Sequence, residues 1–307
     1  MYDIIIIGGG PAGVGAGVYS ARKKMKTLLI TESFGGQSVV SADIQNWIGT
    51  SSISGFDLAK NLEAHLRAQN DIDIIDTENV LKVSKNKREG FIVETSSGKK
   101  HETKTVLLAS GSRRKKLDIP GEKEFDGKGV VYCSICDAPI FKDMDVAVVG
   151  GGNAGLEAVI DLLPYAKHIF LLHRGTALKG DKVTQEKILP HKNVQVIFSA
   201  ETREIHGDST VTGLTYFDKT SGQSKTLSVQ GVFVEIGIIP NSEIVKGLVK
   251  QNEYGMVITN PENQRTSEPG IWAAGDITDG KYRQNNISVG DAIKAVLDIY
   301  DTLHIHA

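Results

Sequence analysis

Cysteine is nearly absent: Cys133 and Cys136 are the only two in 307 residues. So sparse a supply excludes the disulfide framework of a small secreted domain. Excess charge is missing too, with 35 lysines and arginines against 37 aspartates and glutamates and a formal net charge of −2. That balance argues against nucleic-acid binding, and against attachment to a membrane surface, driven by bulk electrostatics. There is no long apolar stretch, and Met1-Tyr2-Asp3 runs straight into a short apolar segment without a basic flank or a small-residue cleavage site. The expectation is a cytoplasmic protein, neither secreted nor inserted in a membrane. At roughly 150 residues per domain the length suits two domains, with apolar content enough for sizeable cores. The residue in surplus is glycine, at 33 positions, more than a tenth of the chain against an average of about 7%.

The glycines mark an internal repeat. Asp3-Ile-Ile-Ile-Ile-Gly8-Gly-Gly10-Pro-Ala-Gly13 returns as Asp145-Val-Ala-Val-Val-Gly150-Gly-Gly152-Asn-Ala-Gly155, with six of eleven positions identical at an offset of 142. Each copy starts with a continuous apolar run, the pattern of a strand buried on both faces of a parallel sheet, and then turns on glycine. Helices are expected over Val14 to Arg22 and Leu156 to Leu163, and second strands over Thr27 to Ile30 and His168 to Leu172, giving two βαβ units. Between them, strands are expected at Phe91 to Thr95 and Thr105 to Leu108, around a turn at Ser96 to Lys100. Crossovers are expected after Arg113 to Lys116, ending at Ile119-Pro120-Gly121-Glu122, and at Gly237 to Asn241, after a strand at Val232 to Ile236. With a last helix over Ser288 to Leu303, the fold class is α/β: two Rossmann-like three-layer dinucleotide-binding domains, the second inserted into the first. The expected boundaries are 1–116 with 245–307 for one domain and 117–244 for the other.

Each G-x-G-x-x-G lies between a strand and a helix, the context in which the motif binds a pyrophosphate on unpaired backbone N–H groups. The first glycine permits the turn, the second lets the backbone approach the phosphates, and the third lets helix and strand pack closely. The candidate cofactor residues are Gly8, Gly10, Pro11, Ala12 and Gly13 in one copy and Gly150, Gly152, Asn153, Ala154 and Gly155 in the other. An acidic residue for the adenosine ribose belongs about 20 residues on, where the first copy has Glu32. The same offset lands on Arg174, preceded by His173, so the two loops are expected to bind different dinucleotides. A guanidinium suits a 2′-phosphate; a carboxylate suits free ribose hydroxyls.

The two cysteines form Cys133-Ser-Ile-Cys136, followed by Asp137. A redox dithiol, a zinc site completed by other ligands and a pair of inert buried thiols are all compatible with the spacing, and the flanking electron-carrier sites favour the first. Asp137 opposes a neighbouring thiolate, which suits it to donating or accepting a proton as a sulfur leaves, or to a turn. No metal ligand set is expected.

Two dinucleotide loops, an inserted domain and CxxC-Asp together resemble the low-molecular-weight thioredoxin reductases over essentially the whole chain. The resemblance implies FAD at the first loop, with further flavin contacts from Gly36 and Gln37 within Phe34-Gly-Gly-Gln37, from Asn46, from Gly111, and from Gly275, Asp276, Arg283 and Gln284. It implies Cys133, Cys136 and Asp137 as the catalytic residues, and NADPH or NADH at the second loop with His173, Arg174 and Lys179. It further implies a homodimer, a thioredoxin-like or glutaredoxin-like partner protein, and hinges at the two crossovers. Several stretches, among them Gly150-Gly-Gly-Asn-Ala-Gly155-Leu-Glu-Ala158 and Asp137-Ala-Pro139, are similar to the flavoprotein component of alkyl hydroperoxide reductase. The NADPH motif of thioredoxin reductases departs here, because Gly175 stands where they have a second arginine and Lys179 where they have a third. The rival readings are a ferredoxin- or flavodoxin-type NADP reductase that needs no cysteine, and a non-catalytic flavin-bound redox sensor.

Overall fold

The computed structural model describes residues 1–41 and 44–304, save the side chain of Val40. Residues 42, 43 and 305–307, which the expected domains include, lie outside the described residues. Six helices occur among the described residues: α1 (Pro11–Arg22), α2 (Gly55–Arg67), α3 (Ser134–Asp137), α4 (Asn153–Leu162), α5 (Lys182–Ile188) and α6 (Asn285–His304). The chain forms two compact units, Met1–Val39 with Asn46–Arg113 and Ile239–Ala307, and Val40–Gln45 with Arg114–Ile238. The divisions fall a few residues before 116/117 and 244/245. The short helical turn Glu243–Val245 belongs with the first unit because Val245 and Val249 are buried in the same cluster as Ile5 and Ile7.

In the first unit the sheet runs in the order Ile72–Ile75, Thr27–Phe34, Tyr2–Gly9, Lys100–Leu108, Phe91–Thr95, Val80–Lys85, with Ile271–Ala273 also paired to Lys100–Leu108. Tyr2–Gly9 is parallel to both neighbours, Ile6 lying opposite Leu29 and Leu107. The apolar run is continuous because both faces are covered. Ile4 and Ile6 pack with Val14 and Val18 of α1 and Val296 and Ile299 of α6, while Ile5 and Ile7 face the opposite way, toward Val245, Val249 and Val257. The strand expected over Thr105 to Leu108 begins five residues earlier, at Lys100, the last residue of the turn expected at Ser96 to Lys100. Helix α1 begins at Pro11, three residues before the expected Val14, since proline fits the first turn of a helix where its missing N–H costs nothing.

The second unit repeats the plan with five parallel strands, in the order Val194–Ile197, His168–Leu172, Asp145–Val149, Gly231–Val234, Val130–Val131. One face packs Val146 and Val148 on Leu156, Val159 and Leu162 of α4. The other packs Ala147 and Val149 on Ile205, Leu214 and Tyr216, which come from an antiparallel three-stranded sheet of Ala200–Gly207, Val211–Asp218 and Gln223–Ser228. Glu122, buried, fixes the start of this unit: its carboxylate accepts the backbone N–H groups of Leu117 and Asp118 and the Tyr132 hydroxyl at 2.7–3.0 Å.

Candidate active site

The two glycine loops share a steric signature. A Cβ on Gly13 would collide with the carbonyl oxygen of Gly8, and one on Gly155 with that of Gly150. The third glycine of each motif is therefore demanded by the packing of helix on strand. The middle glycine is different. A Cβ on Gly152 meets nothing within 4 Å, and one on Gly10 meets only the Gly36 Cα, at 3.8 Å. Packing leaves both positions open, as a backbone that must receive a ligand requires.

Helix capping points the same way. The Ser54 side chain caps α2 by accepting the Asp57 N–H, and Asp181 caps α5 by accepting the Val183 N–H. Gly10 and Gly152, the N-caps of α1 and α4, offer no side chain, so the first N–H groups of those two helices stay available for an anion. Glycine cradles and uncapped helices in both units fit the pyrophosphate of a dinucleotide.

Around the first loop the fold assembles residues far apart in sequence. Gly36 touches Gly10, and Gly275 lies against Ala12 on α1. Gln37 donates to Asp276 and to Ser112, at 3.4 and 3.0 Å. Asn46 donates to Gln284 and its carbonyl accepts from Asn286, while Ser38 donates to Asn285. Gly111 has an open Cβ direction and accepts from the Asn241 N–H. The Arg283 Nε is buried with no protein partner, an orphaned donor consistent with a bound ligand. Glu32 is exposed on Thr27–Phe34, the strand paired beside Gly8 and Gly9.

Around the second loop, the Lys179 N–H donates to the Gly151 carbonyl, and Asn153 accepts the Asp181 N–H. Ala154 follows Asn153 in the first turn of α4. The His173 ring is 7% exposed and wedged against Gly151 and Gly175. Burial, then the nearby Lys179 and Arg174 charges, push its pKa down, and its Nε2 is buried without a partner. Arg174 and Lys179 are exposed.

Cys133 and Cys136 are joined as a disulfide with Cα atoms 5.3 Å apart, so neither sulfur is a thiolate ligand for zinc. Among the described residues no group of three or more histidine, cysteine, aspartate or glutamate side chains could hold a metal ion. Cys133 is the N-cap of α3, and the Asp137 N–H closes the turn on the Cys133 carbonyl at 3.0 Å. The Asp137 side chain is buried, at 6% exposure. Desolvation raises its pKa to about 6, against a smaller opposing pull from the Arg114 charge. It is thus a carboxyl able to give up or take a proton near neutrality.

Three further groups surround this turn, and the sequence did not single them out. The Ser134 hydroxyl donates to Asp161 of α4 at 2.7 Å. Its backbone N–H faces Glu235, which follows the Gly231–Val234 strand and is 8% exposed. Burial pushes Glu235 up to about 7 and raises Asp161 as well. A charged residue ending a wholly apolar strand was the one available signal for Glu235.

The chain matches the family model described as pyridine nucleotide-disulphide oxidoreductase over residues 2–292, and it belongs to that family. Within it the similarity runs to the low-molecular-weight thioredoxin reductases. The thioredoxin reductase of Streptococcus pyogenes MGAS5005 superposes with a TM-score of 0.91 and 34% identity, covering 99% of each chain. The enzyme of Giardia duodenalis gives 0.91 and 28%, over 98% of each. The chain is also 42% identical over 305 residues to the F component of the alkyl hydroperoxide reductase of Pseudomonas aeruginosa, and 41% identical over 302 residues to an NADH dehydrogenase of Bacillus subtilis. Each alignment takes in 98% of this chain and 58% of the relative, so the chain spans little more than half the length of these curated relatives. The family's cofactors are FAD and NAD(P)H, which the two loops accommodate. No helix among the described residues is long and apolar enough to cross a membrane.

Proposed function

We propose that this protein uses NAD(P)H to reduce the disulfide of a thioredoxin-like or glutaredoxin-like protein through Cys133 and Cys136. The observation that carries this reading is the closed cysteine pair followed by a buried Asp137, its pKa raised by desolvation, in a chain with two open glycine loops. FAD, when bound, supplies hydride acceptance from the nicotinamide and two-electron delivery to a disulfide. Gly8 to Gly13, with Glu32, hold its adenosine diphosphate, and Gln37, Asn46, Gly111, Asp276, Arg283 and Gln284 hold the remainder. Gly150, Gly152, Asn153, Ala154 and Gly155 receive the nicotinamide dinucleotide, with His173 packed beneath the loop.

The steps made by the chain itself follow from its chemistry. Two electrons break the Cys133–Cys136 bond, and two protons are then needed to make two thiols. Asp137, next in sequence to Cys136, holds one of them. One thiolate of the pair attacks the partner disulfide, the mixed disulfide is resolved by the other, and Asp137 gives its proton to the sulfur that leaves. The test is an anaerobic absorbance titration of the FAD-loaded protein with NADH and then NADPH, followed by turnover with a thioredoxin-fold disulfide protein. Bleaching by the nicotinamides with no turnover on such disulfides would reject the proposed substrate class.

The donor we assign is NADH. A Cβ on Gly175 would crowd the His173 Nε2 at 2.8 Å, so the second arginine of the NADPH motif has no room unless the histidine moves. The two motif cations that remain, Arg174 and Lys179, are both exposed, and Arg174 is within electrostatic reach of Glu201, which is already paired with Lys219 and Arg203. A 2′-phosphate would meet a solvated arginine beside a carboxylate and a lysine in place of the third arginine. The expected result is a kcat/KM for NADH about tenfold or more above that for NADPH, measured by steady-state kinetics.

The open Cβ direction at Gly152 gives a separate expectation. Gly152 has an extended backbone, φ −93° and ψ −174°, which valine adopts without strain. Gly152→Val should leave thermal unfolding within about 2 °C of wild type and raise the KM for the nicotinamide donor by roughly a hundredfold or more. Gly155→Ala, which collides with the Gly150 carbonyl, should instead destabilise the second unit.

A further inference from the structure

We propose that Asp161 is a positioning residue for the cysteine pair: through its hydrogen bond with Ser134 it anchors the CxxC turn to α4 and keeps the two sulfurs of the reduced pair placed to close. The proposal rests on the reading of Cys133 and Cys136 as a redox pair and adds to it a tether that the CxxC-Asp motif does not contain.

Within itself the turn is held by backbone bonds. The Asp137 N–H donates to the Cys133 carbonyl at 3.0 Å, and the Ala138 N–H donates to the Ser134 carbonyl. Helix α3 has only four residues, far fewer than a helix needs to stand on its own hydrogen bonds. The two residues between the cysteines differ sharply. Ile135 is 57% exposed, whereas Ser134 is buried. The Ser134 hydroxyl donates to the Asp161 Oδ2 at 2.7 Å, the length of a charge-assisted O–H···O⁻ bond.

Asp161 cannot follow a loosened turn, because it sits in the last turn of α4 between residues that are locked in place. Val159 and Leu162 are fully buried against Val146 and Val148 of the central strand. The carboxylate is partly buried, and among the described residues it makes no ion pair with a cation. Burial raises its pKa, and the Ser134 hydroxyl pulls the other way by favouring the charged form. A partly desolvated carboxylate without a cation is held at a cost, and the hydrogen bond that offsets this cost is made to the CxxC turn. Helix α4 opens at its other end on Gly152, the N-cap in the second glycine loop, so the nucleotide loop and the cysteine turn share one rigid mount.

The consequence is a shift in the thiol–disulfide equilibrium. Opening the pair takes up two electrons and two protons and gives two thiols; the electrons come from NAD(P)H in the enzyme and from dithiothreitol in the test. In the oxidised protein the covalent bond fixes the turn with or without the tether. In the reduced protein only the backbone bonds and the tether hold the sulfurs together. Loss of the tether therefore frees the dithiol more than the disulfide, and the pair becomes a weaker reductant.

The test equilibrates the FAD-loaded protein at pH 8 with fixed ratios of reduced to oxidised dithiothreitol, traps thiols with N-ethylmaleimide and counts them by mass spectrometry. At a given ratio, Ser134→Ala and Asp161→Ala should each raise the proportion of dithiol to disulfide by about five- to tenfold, tenfold corresponding to about 30 mV. The double variant should go no further, since either change removes the same bond. Asp161→Asn, which keeps an oxygen for the hydroxyl, should shift the proportion by less than about threefold. A shift as large in Asp161→Asn as in Asp161→Ala, with Ser134→Ala unmoved, would assign the effect to charge alone and overturn the proposal. Proportions equal to wild type in every variant, with or without a lowered unfolding midpoint, would make the bond a merely structural contact and overturn it while leaving the redox reading in place. A pair that dithiothreitol fails to open would sink the redox reading and the proposal together.

Discussion

Cys133→Ser and Cys136→Ser each reduce the turnover of a thioredoxin-fold disulfide by at least about a thousandfold, because a single sulfur can neither store two electrons as a dithiol nor resolve a mixed disulfide. The loss is not one of folding. The disulfide joins residues only three apart, and closing so short a loop is worth about 2 kcal/mol in the chain-entropy account. Both serine variants should purify as folded protein, retain FAD, and oxidise the nicotinamide with a small inorganic acceptor such as ferricyanide within about twofold of wild type. The measurement is the ratio of the two activities on one preparation. If disulfide turnover survives in the serine variants, electrons leave the protein without the cysteines, and the reading as a cysteine-independent NADP reductase replaces the one proposed. If both activities vanish with the FAD still bound, the cysteine turn also serves the donor side.

The parts of the molecule legible in the sequence were those in which a local rule constrains neighbouring residues. The collisions at Gly13 and Gly155 act over five residues, within a single turn of chain. Glycine had to recur at fixed spacing for that reason, and the repeat at an offset of 142 exposed both units at once. The continuous apolar runs were legible because Ile4 to Ile7 and Val146 to Val149 are covered on both faces. The antiparallel sheet of residues 200–228 was harder to see. Its outer strand, Gln223–Ser228, is mostly exposed, so it shows little of the apolar alternation that marks a strand. Helix α2 hides for a related reason, since Gly55, Leu58, Ala59 and Leu66 are its only buried positions. The surroundings of the cysteine pair were the least legible. Ser134, Asp161 and Glu235 come together from three elements across a hundred residues, and no spacing rule joins them. Tertiary packing alone makes that cluster.

The same packing makes Asp137→Asn the second large effect, with activity and stability moving in opposite directions. Asparagine fills nearly the same volume but cannot deliver a proton, so disulfide turnover at pH 7 should fall by roughly a hundredfold, the usual scale of a lost general acid. Its pH dependence carries the signature. With the native pKa raised to about 6, the wild-type proton-donation step weakens as pH rises through 6, whereas the residual activity of the variant lacks that inflection. Stability follows from linkage. In the unfolded chain this carboxyl returns to about 3.9, so at pH 8 folding must bury a charge that water would solvate. The roughly two-unit difference corresponds to at most about 3 kcal/mol of destabilisation above pH 6, relieved as pH falls from 6 to 4 while the native state takes up a proton that the unfolded state does not. Asp137→Asn removes that penalty. The variant should unfold at a higher denaturant concentration than wild type at pH 8, and the advantage should disappear by about pH 4. A variant that is less active and also less stable at pH 8 would show that the buried carboxylate is compensated in the native state, and Asp137 would then be a structural turn residue.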